Sequence, residues 1–393
     1  MRSSLARSVL TGLSLLFLAP CTAFAATLIV TNLLDSGTGS LRQAVATAAP
    51  GDTVAFGGLT GTIILTSGGI DINKNLTITG SGATSLLISG NNASYIFRIL
   101  PGDAVAISDL TLFNAVNAID NQASLTLTNT VVRSNTGSMG AGVTSCYSST
   151  SLTVVNTTFS GNAAVNGGGA ISACGAINIS GSTFTGNSAD YGGAIAVVNT
   201  GTVAITNSTF SGNSAGTTGG AIRTDYVGLS IANSTFSGNT ASDGWALYRG
   251  GEPAVVVDVR NTIFASSTGG SECNAPINGI NASNLEYGGA GPAVSCGVAV
   301  SGDPMLGPLA SNGGATQTLA LLAGSTAINA GTTIGAPTTD QRGIARDASP
   351  DIGAYEYVAA AAPTATAVPT LSEWGVILLG LLLVGAAVGI SRQ

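Results

Sequence analysis

Between residues 150 and 266 one phrase recurs: STFTGNSADYGGAI at 182–195, NSTFSGNSAGTTGGAI at 207–222 and STFSGNTASDGWAL at 234–247. Aligning on the aromatic position puts Val132, Phe159, Phe184, Phe210, Phe236 and Phe264 in one column, with steps of 27, 25, 26, 26 and 28 residues. A period of 20–50 residues marks a solenoid, in which each unit buries its apolar face against copies of itself. Within a unit the apolar segments, such as 203–205 and 220–222, are short, β-prone and separated by Gly, Asn and Ser, with no helical periodicity between them. The fold class expected is all-β, a parallel β-helix built of coils of short strands.

Each repeated word then has a physical job. Coils stacked about 4.8 Å apart place identical side chains above one another, so the phenylalanines are expected to form an inward stack. Asn162, Asn187, Asn213 and Asn239 follow three residues later. They are expected to take the left-handed turn conformation and to bond the next coil through their amides. The pairs Gly168-Gly169, Gly192-Gly193 and Gly219-Gly220 supply conformations and close approaches closed to other residues. The sequons at Asn156, Asn178, Asn207 and Asn233 read as turn chemistry, and no GxxxxGK[ST] phosphate loop occurs.

Composition closes much of the functional menu. Only 8% of the 393 residues are charged and the formal net charge is −7, so the basic footprint of a nucleic-acid binder is missing. There is no histidine and a single lysine, Lys74, which removes Ser-His-Asp and Cys-His nucleophiles, His-ligated zinc and most Schiff-base chemistry. No cofactor, metal or catalytic residue is nominated. The cysteines follow the register instead. Cys146 lies three after Val143 and Cys174 three after Ile171, one column on adjacent coils, which suits a disulfide. Cys273 and Cys296 then pair by default, and a metal site, the other reading, has no matching spacing.

Both termini carry targeting logic. Arg2 and Arg7 precede an apolar run at 9–18, and Ala23-Phe24-Ala25 gives the small-x-small pattern of a signal peptide, 1–25, cut after Ala25. A lipoprotein reading through Leu18-Ala19-Pro20-Cys21 is the alternative, with proline a poor fit before the cysteine. At the other end a Pro/Ala/Thr linker, 358–367, leads into VPTLSEWG, an apolar run at 376–390 and a terminal Ser-Arg-Gln. That run of fifteen residues falls short of the usual twenty, although Trp374 and Arg392 suit the two interfaces of a short transmembrane helix. Val368, Pro369, Thr370, Leu371, Ser372, Glu373, Trp374 and Gly375, with the span behind them, resemble the IPTL-type sorting signals of Gram-negative bacteria. The resemblance, over 368–393, implies export, transient anchoring in the inner membrane and an exosortase-like sorting protease as partner. A permanent tail anchor is the plainer reading.

Two further segments are expected to close the solenoid ends. In 26–57 a strand precedes Ser40-Leu41-Arg42-Gln43, a capping box opening a short helix whose Leu41, Ala44, Val45 and Ala48 share one face. Its text resembles the amino-terminal cap of exported parallel β-helix proteins. Repeats then run through 58–300. In 301–357, DPMLGPLASNGGATQTLALLAGSTAINAG, DQRG (340–343) and DIGAYEY (351–357) are similar to the bacterial surface proteins called choice-of-anchor Q. The central units also look like polymorphic outer-membrane protein repeats. These resemblances imply a right-handed helix at the cell surface, with no established reaction.

For ligands, the densest chemistry is Arg223, Asp225, Arg249 and Glu252 beside Trp245, Tyr226 and Tyr248. Aromatics beside arginine and carboxylate suit sugar, with Trp245 replacing the second glycine of its pair and projecting as a ledge. The blander reading has Trp245 and Tyr248 plugging the flank of the last coils. Asp190 and Asp243 lie in equivalent turns two coils, about 9.6 Å, apart, inside the range of an inverting glycosidase pair. Asp340, Arg342, Asp351 and Glu356 read as an ionic latch. The function expected is a surface-displayed, non-catalytic protein of adhesion, matrix or carbohydrate interaction, with extracellular polysaccharide as the candidate partner. The alternative is a polysaccharide lyase or glycoside hydrolase of pectate-lyase-like architecture.

Overall fold

One coil shows how the phrase folds. Ala176–Ser180 forms a strand, Thr183–Thr185 a second, Ser188–Tyr191 a third and Ile195–Val198 a fourth, before Thr202–Thr206 begins the next coil in register with the first. Among the described residues, stacking such coils gives parallel sheets: a first and a second of eleven strands each, a third of eight, and a fourth of four in the middle coils. The computed structural model describes residues 25–147, 150–199, 201–251, 255–265, 270–288, 296–298, 300–359 and 371–390. The chain through Tyr357 is one compact unit and the tail from Val358 is another.

The corners explain the small residues. Gly181, Gly186 and Gly192 open the first three corners of this coil with φ of 60°, 61° and 59°. In the next coil the first of these positions is Asn207 at φ 45°. The left-handed turns therefore belong to the sequon asparagines Asn156, Asn207 and Asn233 and to the glycines before the buried ladder, not to the ladder asparagines, as the sequence had suggested. The reason is division of labour, since an amide committed to the next coil is best carried on a residue with ordinary backbone. Asn178 lies within a strand instead.

The interior is as repetitive as the text. Phe159, Phe184, Phe210, Phe236 and Phe264 stack at centroid distances of 5.0, 4.7, 4.7 and 5.3 Å. Beside them runs an unbroken amide ladder. Asn135, Asn162, Asn187 and Asn213 each donate through Nδ2 at 2.9 Å to Oδ1 of the asparagine one coil on, ending at Asn239. A second ladder, unseen in the sequence, uses hydroxyls. The backbone N–H of Thr157, Ser182 and Ser208 each donates to the side-chain oxygen of the next coil's serine, at 3.1 to 3.3 Å. Cys146 is bonded to Cys174, as the register required, and Cys273 to Cys296, the pair left by default, with Cα separations of 4.4 and 5.0 Å.

The amino end is closed by the helix Leu41–Thr47, which buries Leu41, Ala44 and Val45. Ser40 Oγ accepts from Gln43 N–H, while Gln43 Oε1 reaches back to the N–H of Gly39, one residue before the expected partner. The helix C-terminus is held by the chain's one lysine, whose Nζ donates to the carbonyls of Val45, Ala46 and Ala48 at 3.3, 3.3 and 2.9 Å. Arg42 pairs with Asp35 at 2.7 Å, and Asp35 also accepts from Ser67 N–H and from the N–H and hydroxyl of Thr66. Burial alone would raise the Asp35 carboxyl, but the bonds from Ser67, Arg42 and Thr66 outweigh it and hold it well below the carboxylate range. A depressed folded value contributes stability that is present above the unfolded value, about 4, and lost as pH falls below it. Protection of the Thr66 and Ser67 amides should therefore begin to fall near about pH 5 and keep falling well below about pH 3, and Asp35→Asn should remove that pH dependence.

The carboxyl-side module does not simply close the end. Its antiparallel hairpin, Leu306–Ala310 with Thr318–Leu321, starts a segment that runs back along the flank of the repeat coils. The threonine of each STF word points outward there. Gln341 of DQRG accepts from Thr209 Oγ1 at 2.7 Å and donates to Thr183 Oγ1 at 3.0 Å, and Ala354 N–H donates to Thr235 Oγ1 at 3.0 Å. At the next coil the outward residue is Ile263, which joins Ile352, Leu321 and Leu285 in a separate apolar cluster. The expected latch is present and larger than foreseen. Arg342 pairs with Asp340 at 2.7 Å and Arg346 with Glu356 at 2.9 Å, all four side chains nearly buried.

The tail forms the helix Leu371–Ile390. The expectation of a transmembrane span is not met, because among the described residues no helix is long and apolar enough to cross a membrane. Leu371, Ser372 and Glu373 make up the first turn of the helix, and the apolar run behind them is fifteen residues where a span needs about twenty. The signal segment 1–24, Glu252 and the motif residues Val368, Pro369 and Thr370 lie outside the described residues.

Candidate functional site

The third sheet presents one outward column along the solenoid. Register places Asp71, Arg98 and Asp120 in line, continues through Thr144, Ser172 and Ala196, and ends on Arg223 and Tyr248. Strand alternation sends these side chains away from the core, and the small residues in the middle leave a low floor between two chemically rich ends.

At one end Arg223 is held from four sides. Its Nε donates to Asp225 at 2.8 Å and its Nη1 to Thr218 Oγ1 at 3.1 Å. The guanidinium lies over the Tyr191 ring at 4.5 Å and the Tyr248 ring at 5.4 Å. Tyr191 comes from the fourth sheet, whose Thr218 is in register with it. The sequence therefore joined Arg223, Asp225 and Tyr248 correctly but missed Tyr191 and Thr218, which a neighbouring sheet supplies.

The remaining nominated residues part company. Arg249 is in register with Thr224, which is fully buried, and lines an interior cavity with Leu247, Val257 and Ile277. It faces the opposite way from Tyr248, one residue out of phase with the outward column it was assigned to. Trp245 is half-buried, and its ring lies against the backbone of Gly270 on the next coil, where any β-carbon would collide with it. That is the plugging role. Tyr226 sits at a corner with φ 61°, 62% exposed, its ring over Gly251. Asp243 bridges Thr218 and so falls in the Tyr191 column, one residue off the Asp190 position.

The other end of the column was not foreseen. Arg98 Nε donates to Asp120 at 3.2 Å and its Nη1 lies 4.0 Å from Asp71, with its guanidinium 4.3 Å over the Tyr95 ring. Tyr95 donates its hydroxyl to Asp71 at 2.6 Å, and Gln122 donates to Asp120 at 3.0 Å. Burial, then the bond to Asp71, raises the Tyr95 phenol, and burial with the charge of Asp120 does the same for Tyr147. These coils precede the repeated phrase, so no textual rhythm flagged them. From Arg98 to Arg223 is five coil steps, about 24 Å. Among the described residues no group of three or more His, Cys, Asp or Glu is arranged to hold a metal ion.

With this geometry in place, known proteins give three points of likeness. Residues 366–393 match the IPTL-CTERM motif. Residues 156–174, 181–197 and 207–225 match the Chlamydia polymorphic membrane protein repeat. The crystal structure of pectate lyase Pel9A is similar in fold, with a TM-score of 0.50 and 16% identity over 85% of this chain and 98% of that one. No curated protein matches. The chain is thus a parallel β-solenoid carrying a carboxyl-terminal sorting motif, and motif and repeats together point to an exported protein of the cell surface.

Proposed function

We propose that this protein binds an extracellular polysaccharide along the third sheet without cleaving it. The observation that carries the reading is Arg223, whose guanidinium lies over both the Tyr191 and the Tyr248 ring while Asp225 and Thr218 accept hydrogen bonds from it. Such a group offers a ring face to the C–H side of a sugar and rigid donors to its hydroxyls or carboxylate, with little side-chain entropy left to lose. The Arg98 cluster repeats the same three ingredients about 24 Å away, a span that an extended chain of several sugars would bridge. Two weak subsites on one rigid rod add as linked sites do. Arg223→Met should therefore weaken glycan binding at least about tenfold, and Arg98→Met comparably, each with an unchanged melting midpoint. Equal binding by both variants and parent would sink the reading.

A cleaving enzyme is the second reading, favoured by Asp71 and Asp120 on either side of Arg98, two coils or about 9.6 Å apart. Both carboxylates are already engaged, by Tyr95 and by Arg98 with Gln122, which supports a binding role. For the tail, we assign 368–375 to an exosortase-like protease that removes the segment behind it and leaves the linker 358–367 as a leash. The choice-of-anchor Q resemblance of 301–357 agrees with an interchangeable attachment of this kind. In cells possessing the protease, mass spectrometry should find most molecules without the peptide 376–393, and its retention on most molecules would leave a plain tail helix.

A further inference from the structure

The first strand, Thr27–Ile29, pairs with Thr53–Ala55 at the edge of the first sheet. One residue before it, the backbone nitrogen of Ala26 donates to Asp52 Oδ1 at 2.7 Å, while the Ala26 carbonyl accepts from Thr53 N–H at 2.8 Å. The second oxygen of Asp52 accepts from Ala49 N–H at 2.8 Å, just past the lid helix. Asp52 is 6% exposed, and among the described residues none of the ion pairs includes it. A nearly buried carboxylate answered only by neutral amides is an unfavourable arrangement, because desolvation of the charge is poorly compensated.

The atom at 2.7 Å changes that. Residues 1–25 read as a signal peptide whose small-x-small site, Ala23-Phe24-Ala25, is cut before Ala26, and Ala25 and Ala26 are both exposed. Hydrolysis adds water across the Ala25–Ala26 bond: hydroxide goes to the Ala25 carbonyl, and the Ala26 nitrogen leaves as an amine that takes a proton at neutral pH. We propose that Ala26 is the mature amino terminus and that its α-ammonium forms an ion pair with Asp52, so that removal of the signal peptide completes the cap. A bond charged only at its acceptor becomes one charged on both sides, the attraction of an ion pair is added to the hydrogen bond, and the first strand is pinned where termini otherwise fray. Lid helix, first strand and second strand meet at this carboxylate, and export is thereby coupled to closure of the solenoid end. The proposal rests on the signal-peptide reading and is independent of the glycan-binding one.

Two measurements test it. Mass spectrometry of the exported full-length chain should give a first residue of Ala26 with a free amine, and any other start would overturn the proposal. Amide exchange at Val30 and Thr53 should then be compared in the chain starting at Ala26 and in one made to start at Phe24. The Phe24 form should exchange about tenfold faster, and Asp52→Asn should speed exchange about tenfold in the Ala26 form but little in the Phe24 form. Equal exchange in the two parent forms, or an equal effect of Asp52→Asn in both, would reduce Asp52 to a plain acceptor for an amide.

Discussion

Replacing Asn213 by leucine is expected to cost about 3–5 kcal/mol, at the upper end of single substitutions. Asn213 Nδ2 donates to Phe184 O at 3.0 Å and to Asn239 Oδ1 at 2.9 Å. Its Oδ1 accepts from the backbone N–H of Asn187 at 3.1 Å and from Asn187 Nδ2 at 2.9 Å. Leucine matches the volume and supplies none of this. The two Asn187 donors lose their acceptor in a region where Asn187 and Asn213 are fully buried, each at about 1–3 kcal/mol, and the Phe184 carbonyl loses one of its donors. Part of that cost is relieved by relaxation of the coil. Urea unfolding reads the change, and an unchanged midpoint would mean that the ladder contributes nothing to the rod.

The second large effect lies in the module. Arg346 donates to Glu356 at 2.9 Å, to the carbonyls of Asp351 and Gly353 at 3.2 and 2.9 Å, and to Asn207 Oδ1 of the solenoid at 3.2 Å. Burial lowers its pKa, opposed by the charges of Glu356 and Asp340. Arg346→Met strands the Glu356 carboxylate, whose other partners are the N–H groups of Asp347 and Asp351, and should cost about 3–5 kcal/mol. The loss should be local. Exchange at Ile352, bonded to Ala327, should accelerate while Phe184 and Phe210 in the solenoid stay protected, and uniform acceleration would show that module and solenoid unfold as one.

These two sites differ in how visible they were. The asparagine ladder was legible because stacking copies one coil onto the next, so a repeated letter is a repeated contact. The disulfide between Cys146 and Cys174 was legible for the same reason. What the period could not carry was parity and partnership. Arg249 was grouped with Arg223 by nearness in the chain, yet strand alternation puts it in the column of buried Thr224. The outward threonines Thr183 and Thr209 find Gln341 more than 130 residues away, and nothing local announces that pairing. Tyr191 reaches Arg223 from the four-stranded sheet of the middle coils. Lys74, given no role by the sequence, caps the lid helix.

The central claim is that the third sheet binds a polysaccharide and leaves it intact. Its direct test is a glycan-array screen of the mature protein, followed by incubation of any polysaccharide bound with excess protein and measurement of chain length. Binding that depends on Arg223 and Arg98, with no shortening of the polymer, is the result predicted. Shortening that is abolished by Asp71→Asn or Asp120→Asn would contradict the account and establish a cleaving enzyme.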